Sequence, residues 1–273
     1  MATEKATAHG ALAGAAIHQQ WVSMYRTPEA QGFYESAFNE IVRRLAPSPG
    51  SVILDAGCGS CAKSVLLAAR GLHVVATDFS ADALALGAET VKARGLDHMV
   101  TRRQGDLMAL PFRDGEFQYA ICWGVLMHVP QLERAMAELA RVVAPGGVLV
   151  LSEGNMHSVQ SKALRGLKRL LGRNRGNVAR VPAGIETVEQ TAQGTLVTRQ
   201  TDVPWMAAAF GRLGLRLEAR FAGQFTEVFA VVPWRWGRRA IHALNRVWFH
   251  RIGFAGPAYG NILMFRKDAD PRA

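Results

Sequence analysis

The 273 residues carry 32 Lys and Arg against 22 Asp and Glu, a net charge of +10, and 49% of them are hydrophobic. That is apolar material for one sizeable core, with no apolar run long enough to span a bilayer. Three cysteines make no disulfide framework.

The charge is lopsided. Residues 1–152 hold 13 Lys and Arg against 14 Asp and Glu, whereas residues 153–273 hold 19 against 8. A basic second half suits an anionic acceptor, a membrane surface or nucleic acid. The N-terminus lacks a basic-then-apolar signal, so the chain is expected in the cytoplasm, at most peripheral to the inner face of the membrane.

In chain order, residues 17–45 show helical spacing. Trp21 and Tyr25 lie one turn apart, Pro28 suits a first turn, and Phe38, Ile41, Val42 and Leu45 form a stripe. The stripe stops at Pro47-Ser48-Pro49-Gly50. Residues 52–54 read as a strand, 63–70 as a helix and 73–77 as a second strand. Ser80 is placed to cap a helix over 81–94. Strands follow at 99–103, 117–122 and 148–152, with a helix over 132–143 before the last. Strand–helix alternation with continuous apolar strands predicts a parallel sheet covered on both faces. Ligands in such sheets sit beyond the carboxyl ends of the strands, where Asp55, Asp78, Asp106 and Trp123 fall.

The turn after the first strand is Asp55-Ala56-Gly57-Cys58-Gly59-Ser60-Cys61-Ala62. Two glycines let the backbone turn sharply and let a ligand come close. The Gly57-x-Gly59-x-x-Ala62 spacing fits a dinucleotide loop, and Asp78 stands where a ribose-binding acid is expected. Asp55 points elsewhere, because its charge opposes a pyrophosphate but suits a ligand carrying an ammonium and a positive centre. Asp106 is positioned to accept from an adenine amino group. Each of the three also reads as a plain turn acid. Cys58 and Cys61 form a C-x-x-C with no second pair to complete a zinc site, so they read as small residues in a tight loop, and no metal is expected.

The chain resembles the class I S-adenosylmethionine-dependent methyltransferases, particularly the small-molecule branch. The matching stretches are VILDAGCG at 52–59, VATDF at 75–79, GDL at 105–107, LPFRDGEF at 110–117, VLMHV at 125–129 and VVAPGGVL at 142–149. The resemblance implies a doubly wound, mostly parallel seven-stranded sheet of Rossmann-like type and S-adenosylmethionine as cofactor. Gly57 and Gly59 would line its methionine part, with Asp55 beside them. Asp78 would hold the ribose, Phe79 would flank the adenine, and Asp106 would contact the adenine amino group, with Leu107 beside it. Trp123 would face cofactor and substrate. Gln118 and Cys61 depart from the family pattern, away from the adenosine contacts. Cys122-Trp123-Gly124-Val125 stands where members that methylate exocyclic amines carry Asn-Pro-Pro-Tyr.

The sulfonium is already a strong electrophile, so orienting the acceptor supplies most of the rate. A base helps if the acceptor is a hydroxyl, and His128 is the candidate, with Tyr25, Glu153 and His157 behind it. Trp21 and Tyr25 are expected to touch the acceptor. Residues 1–50 are expected to form a helical cap and 51–273 the methyltransferase domain. Helical inserts are expected near 156–185, a basic amphipathic run, and 233–256, where Trp234, Trp236, Trp248 and Phe249 alternate with arginines. A strand is read at 215–222, and a last one, antiparallel in this family, at 259–266. The expected activity is methylation of a small or lipid-like molecule, at oxygen rather than nitrogen or carbon. The alternatives are a nucleic-acid (RNA) methyltransferase, a non-catalytic S-adenosylmethionine-binding protein and an NAD-dependent oxidoreductase.

Overall fold

The computed structural model describes residues 12–25, 27–170, 178–191 and 194–269, with only the backbone of 22–25. A seven-stranded sheet runs in the order β3-β2-β1-β4-β5-β10-β9. Its strands are β1 (Val52–Ala56), β2 (His73–Asp78), β3 (Val100–Gln104), β4 (Phe117–Trp123), β5 (Val143–Gly154), β9 (Leu215–Ala222) and β10 (Gly260–Lys267). The first five pair in parallel, and β10 enters antiparallel between β5 and β9, as expected. The order reverses between β1 and β4, the switch point at which a crevice opens beyond the strand ends.

Both faces are covered. Helices α1 (Ala15–Tyr25), α2 (Pro28–Leu45), α3 (Ser64–Ala68), α4 (Ala81–Lys92) and α5 (Leu132–Val142) accompany the parallel half, and α7 (Val203–Arg212) precedes β9. Phe38 and Ile41 of α2 pack with Leu67 of α3 and Ile53 and Ile121 of the sheet. Across the sheet, Met136 and Leu139 of α5 join Met206 and Phe210 of α7 over Leu54, Leu149 and Phe265. Each of these side chains is fully buried and contributes about 1.5–3 kcal/mol. Thr27 accepts from the Ala30 N–H and Pro28 fills the first turn, which starts α2 where the sequence placed it. Ser80 caps α4 by accepting from the Ala83 N–H at 3.0 Å.

The insert after β5 departs from expectation. Among the described residues of 156–185, only α6 (Val159–Leu170) is helical. Strands β6 (Val178–Val181), β7 (Gly184–Thr191) and β8 (Gly194–Thr201) form a separate antiparallel sheet in that order. Arg173 and Arg175 of the expected basic run lie outside the described residues. Thr187, Val188, Thr195, Val197, Thr198 and Thr201 are β-branched and favour a pleated surface over a helix, a signal the charge run obscured. The second insert is helical: α8 (Arg235–Val247) ends in a π-turn over Trp248–Ile252. Among the described residues no helix is long and apolar enough to cross a membrane.

Gly147 sits where β5 leaves the Pro145-Gly146 turn to pair with β4. A Cβ there would lie 2.8 Å from the carbonyl oxygens of both Ala144 and Gln118, and backbone cannot swing aside. Gly147→Ala is therefore expected to cost about 2 kcal/mol, read as a lower urea midpoint at unchanged slope. An unshifted midpoint would mean that the strand ends relax freely.

Candidate functional site

The carboxyl edge of β2 and the loop after β1 build one another. Gly57 and Gly59 adopt φ of +78° and +51°, which folds the loop back on the strand end. The Gly57 and Cys58 N–H groups donate to the Thr77 carbonyl at 2.8 and 2.9 Å. The Gly59 N–H reaches Oδ2 of Asp78 at 2.8 Å, and the Ser80 N–H reaches its Oδ1 at 2.9 Å. Asp78 is only 6% exposed. Burial raises its pKa, and these two backbone donors pull the other way. A Cβ on Gly57 would meet the Val125 side chain at 2.6 Å, so only glycine lets the loop after β4 close on it.

A cavity of about 60 Å³ opens here, bordered by Gly57, Thr77, Asp78, Phe79, Asp106 and Leu107, with Val125, His128 and Leu12 on its far side. The Thr77 Oγ1 faces burial with no partner among the described residues. Asp106 turns its Oδ1 to the Met108 N–H at 2.8 Å, and the Phe79 carbonyl accepts from Gln104 at 2.9 Å. Five of the eight residues expected around a nucleoside thus border one space. The other three do not. Asp55 lies deeper, 1% exposed, accepting from the Ser64 hydroxyl at 2.6 Å, and burial pushes its pKa up to about 6. Gly59 spends its N–H on Asp78. Trp123 turns its ring to Phe38, 5.0 Å away, and Tyr34, 6.1 Å away, in the packing under α2.

The N-terminal segment straps this edge. The Ser80 hydroxyl donates to the Ala13 carbonyl at 2.6 Å, and the Ala15 N–H donates to Asp82 at 3.1 Å. Trp21 stacks on His128 at 5.5 Å between ring centres and meets His18 edge-on. The Tyr25 side chain lies outside the described residues.

His128 is held by a part of the chain that sequence reasoning missed. Its Nδ1 lies 2.8 Å from the Val197 carbonyl on β8. A carbonyl only accepts, so Nδ1 carries the proton and Nε2 keeps its lone pair. Burial lowers the His128 pKa, which keeps the ring neutral. Arg199, 4% exposed on the same strand, donates to the carbonyls of Leu126 and Val129 on either side of His128, and to Glu186 on β7. The small sheet is a bracket for the loop after β4. The signal in the sequence was the β-branched alternation of Thr195, Val197 and Thr201 around Arg199.

Glu153, at the end of β5, is 2% exposed, and burial pushes its pKa up to about 8 against the pull of Arg199. His157 instead points to Asp202, 3.4 Å away. Cys58 and Cys61 are buried free thiols with sulfurs 3.8 Å apart, and Gly87 leaves room for Cys61.

Residues 54–151 match the family described as "Methyltransferase domain". The demethylmenaquinone methyltransferase of Bacillus cytotoxicus is 39% identical over 117 residues, 42% of this chain and 49% of that protein. The chain thus spans about half the length of the curated relatives it matches. Among solved structures, magnesium protoporphyrin IX methyltransferase (ChlM) of Synechocystis, with bound S-adenosylhomocysteine, superposes with a TM-score of 0.58 at 17% identity, covering 92% of this chain and 94% of that one. The [4+2]-cyclase SpnF superposes with a TM-score of 0.58 at 19% identity, covering 86% and 81%. At these identities the two structures share the fold.

Glu153 yields a pH prediction. Its folded pKa of about 8 lies above the unfolded value near 4.3, so between those values the folded state holds a proton that the unfolded state has lost. Stability therefore falls as pH rises through that window. Glu153→Gln is expected to flatten the slope and to be more stable by about 4 kcal/mol at pH 7.5, with the gap closing below pH ~4.5. Denaturant midpoints at several pH values check this, and parallel pH profiles would show that Glu153 is already ionised.

Proposed function

We propose that this chain, a class I S-adenosylmethionine-dependent methyltransferase by its 54–151 domain and its sheet order, methylates a small or lipid-like acceptor, at oxygen in preference to nitrogen or carbon. One observation carries the reading. A buried carboxylate, Asp78, is fixed by two backbone donors beside a glycine turn that leaves no room for a side chain. Such a group suits a pair of ribose hydroxyls, because each oxygen keeps a further lone pair and burial strengthens the bonds.

The residues present fit the cofactor. Gly57 offers close backbone approach, Phe79 and Leu107 an apolar flank for the adenine, Asp106 an acceptor for its amino group, and Thr77 an unused buried hydroxyl. Gly59 acts through the loop rather than by lining the cavity. Asp55 and Trp123 stand one layer behind, Asp55 as a charge that favours a cation and Trp123 as support for the strand end. S-adenosylmethionine, when bound, supplies an electrophilic methyl group. The chain's own work is to orient the acceptor and take its proton. His128 Nε2 has the free lone pair; Trp21 stacks on the ring until the strap opens and, swung aside, offers an apolar acceptor a flat face. The cavity of about 60 Å³ is well below the ~300 Å³ of typical ligand sites. Entry of a nucleoside therefore requires the strap formed by residues 12–21 to move.

The name of the Bacillus relative supports an acceptor of lipid-like character. Peripheral contact with an anionic membrane fits the same reading. Leu164, Leu167 and Leu170 on α6 are 41%, 51% and 83% exposed beside Lys168 and Arg169.

Asp78→Ala is expected to lower affinity for S-adenosylmethionine at least 100-fold by calorimetry, because the ribose loses a buried charged acceptor. An unchanged affinity would place the nucleoside elsewhere. His128→Ala is expected to cut turnover by about 10²–10⁴ with cofactor affinity intact. The acid limb of the wild-type pH–rate profile should fall below the ordinary imidazole value, following the lowered His128 pKa. Full activity in the alanine variant, scored as the mass gain of methylated product from a metabolite extract, would remove His128 from the reaction.

A further inference from the structure

A second and larger cavity, about 310 Å³, lies between the start of α2 and the face of α8. Arg235, Arg238 and Arg239 line it with His242, against a single carboxylate, Glu29, and the ring of Phe229 forms part of its wall. The arginines are exposed, whereas His242 is 8% exposed and stacks on Phe229 at 4.3 Å. The His242 Nδ1 is buried and has no hydrogen-bond partner among the described residues. An unmet ring nitrogen in so buried a place costs free energy unless something completes it.

The arginines are also under-used. Arg239 reaches Glu29 at a loose 3.4 Å, Arg238 donates to the Pro233 carbonyl at 3.1 Å, and Arg235 has no carboxylate partner among the described residues. Three guanidinium groups facing one carboxylate leave a positive cavity. Guanidinium forks match the tetrahedral oxygens of a phosphate in a way that ammonium groups do not. The volume exceeds a bare phosphate and leaves space for an attached group. Beside it, Trp234 and Trp236 are 48% and 73% exposed, which gives a carbon chain an apolar surface to lie on.

We propose that this cavity is a binding site for the phosphate head of an organic phosphate, with Arg235 and Arg238 gripping the oxygens, Arg239 shared between ligand and Glu29, and the His242 ring forming part of the wall. Glu29 acts as an internal competitor. The proposal stands apart from the chemistry at the sheet edge, since none of these residues borders the Asp78 cavity. The phosphate can come from a soluble phosphomonoester or from a phospholipid headgroup.

The full chain is titrated with inorganic phosphate and with glycerol 3-phosphate, following tryptophan emission. It is also sedimented with phosphatidylcholine vesicles with and without phosphatidic acid. The expected result is saturable binding in at least one arm. The Arg235→Ala/Arg238→Ala double variant should weaken it about 100-fold, tenfold per arginine. Glu29→Gln should tighten it severalfold, a gain that a merely structural Glu29 would not produce. Binding of soluble phosphates identifies the free ester as the source, and arginine-dependent capture by phosphatidic acid vesicles alone identifies the headgroup. No saturable binding in either arm would overturn the proposal. So would equal binding by the double variant, whose exposed positions leave the fold intact by circular dichroism.

Discussion

A carboxylate taken out of water must find donors, and at Asp78 the chain supplies them from its own backbone. The Gly59 N–H comes from the loop after β1 and the Ser80 N–H from the start of α4. Meeting that one requirement fixes the turn, because the loop reaches back only with positive φ at Gly57 and Gly59. It fixes the start of α4, because Ser80 both donates to Asp78 and caps the helix. It fixes the strap as well, since the same Ser80 hydroxyl holds the Ala13 carbonyl. Strand end, turn, helix and N-terminal segment share one hydrogen-bonded knot.

The other wall of the crevice depends on a different constraint. The loop after β4 has no regular partner of its own beyond one 3₁₀ turn, Leu126–His128. Arg199 and Val197 of β8 hold its carbonyls and its histidine. A buried arginine is tolerated there because Glu186 and two carbonyls satisfy it. The parallel sheet thus forms one side of the crevice, and a separate small sheet braces the other.

Much of this was legible in the residues. The parallel strands, the Ser80 cap and the antiparallel last strand follow from apolar runs, turn chemistry and the likeness to a known family. Asp78, Phe79, Asp106 and Leu107 come together because each ends or follows a strand at one edge. The strands at 178–201 were not legible as such. The basic run up to Arg180 suggested helix as far as about 185, whereas β-branched residues from Thr187 to Thr201, left without a reading, form strands. Trp123 illustrates a different limit. Its position at a strand end was readable, but which way its ring turns depends on Phe38 and Tyr34, far away in sequence. The burial of Arg199 and of Glu153 is likewise something no local pattern reports.

The account stands on the nucleoside lying against the end of β2, under a strap that opens to admit it. A crystal structure of the protein soaked or grown with S-adenosylhomocysteine tests this most directly. The account predicts both ribose hydroxyls on the Asp78 carboxylate, the purine beside Phe79 and Asp106, and residues 12–21 displaced from their contacts with Ser80 and His128. A ligand bound away from β2, or one bound there with the strap unmoved and Asp78 untouched, would contradict it.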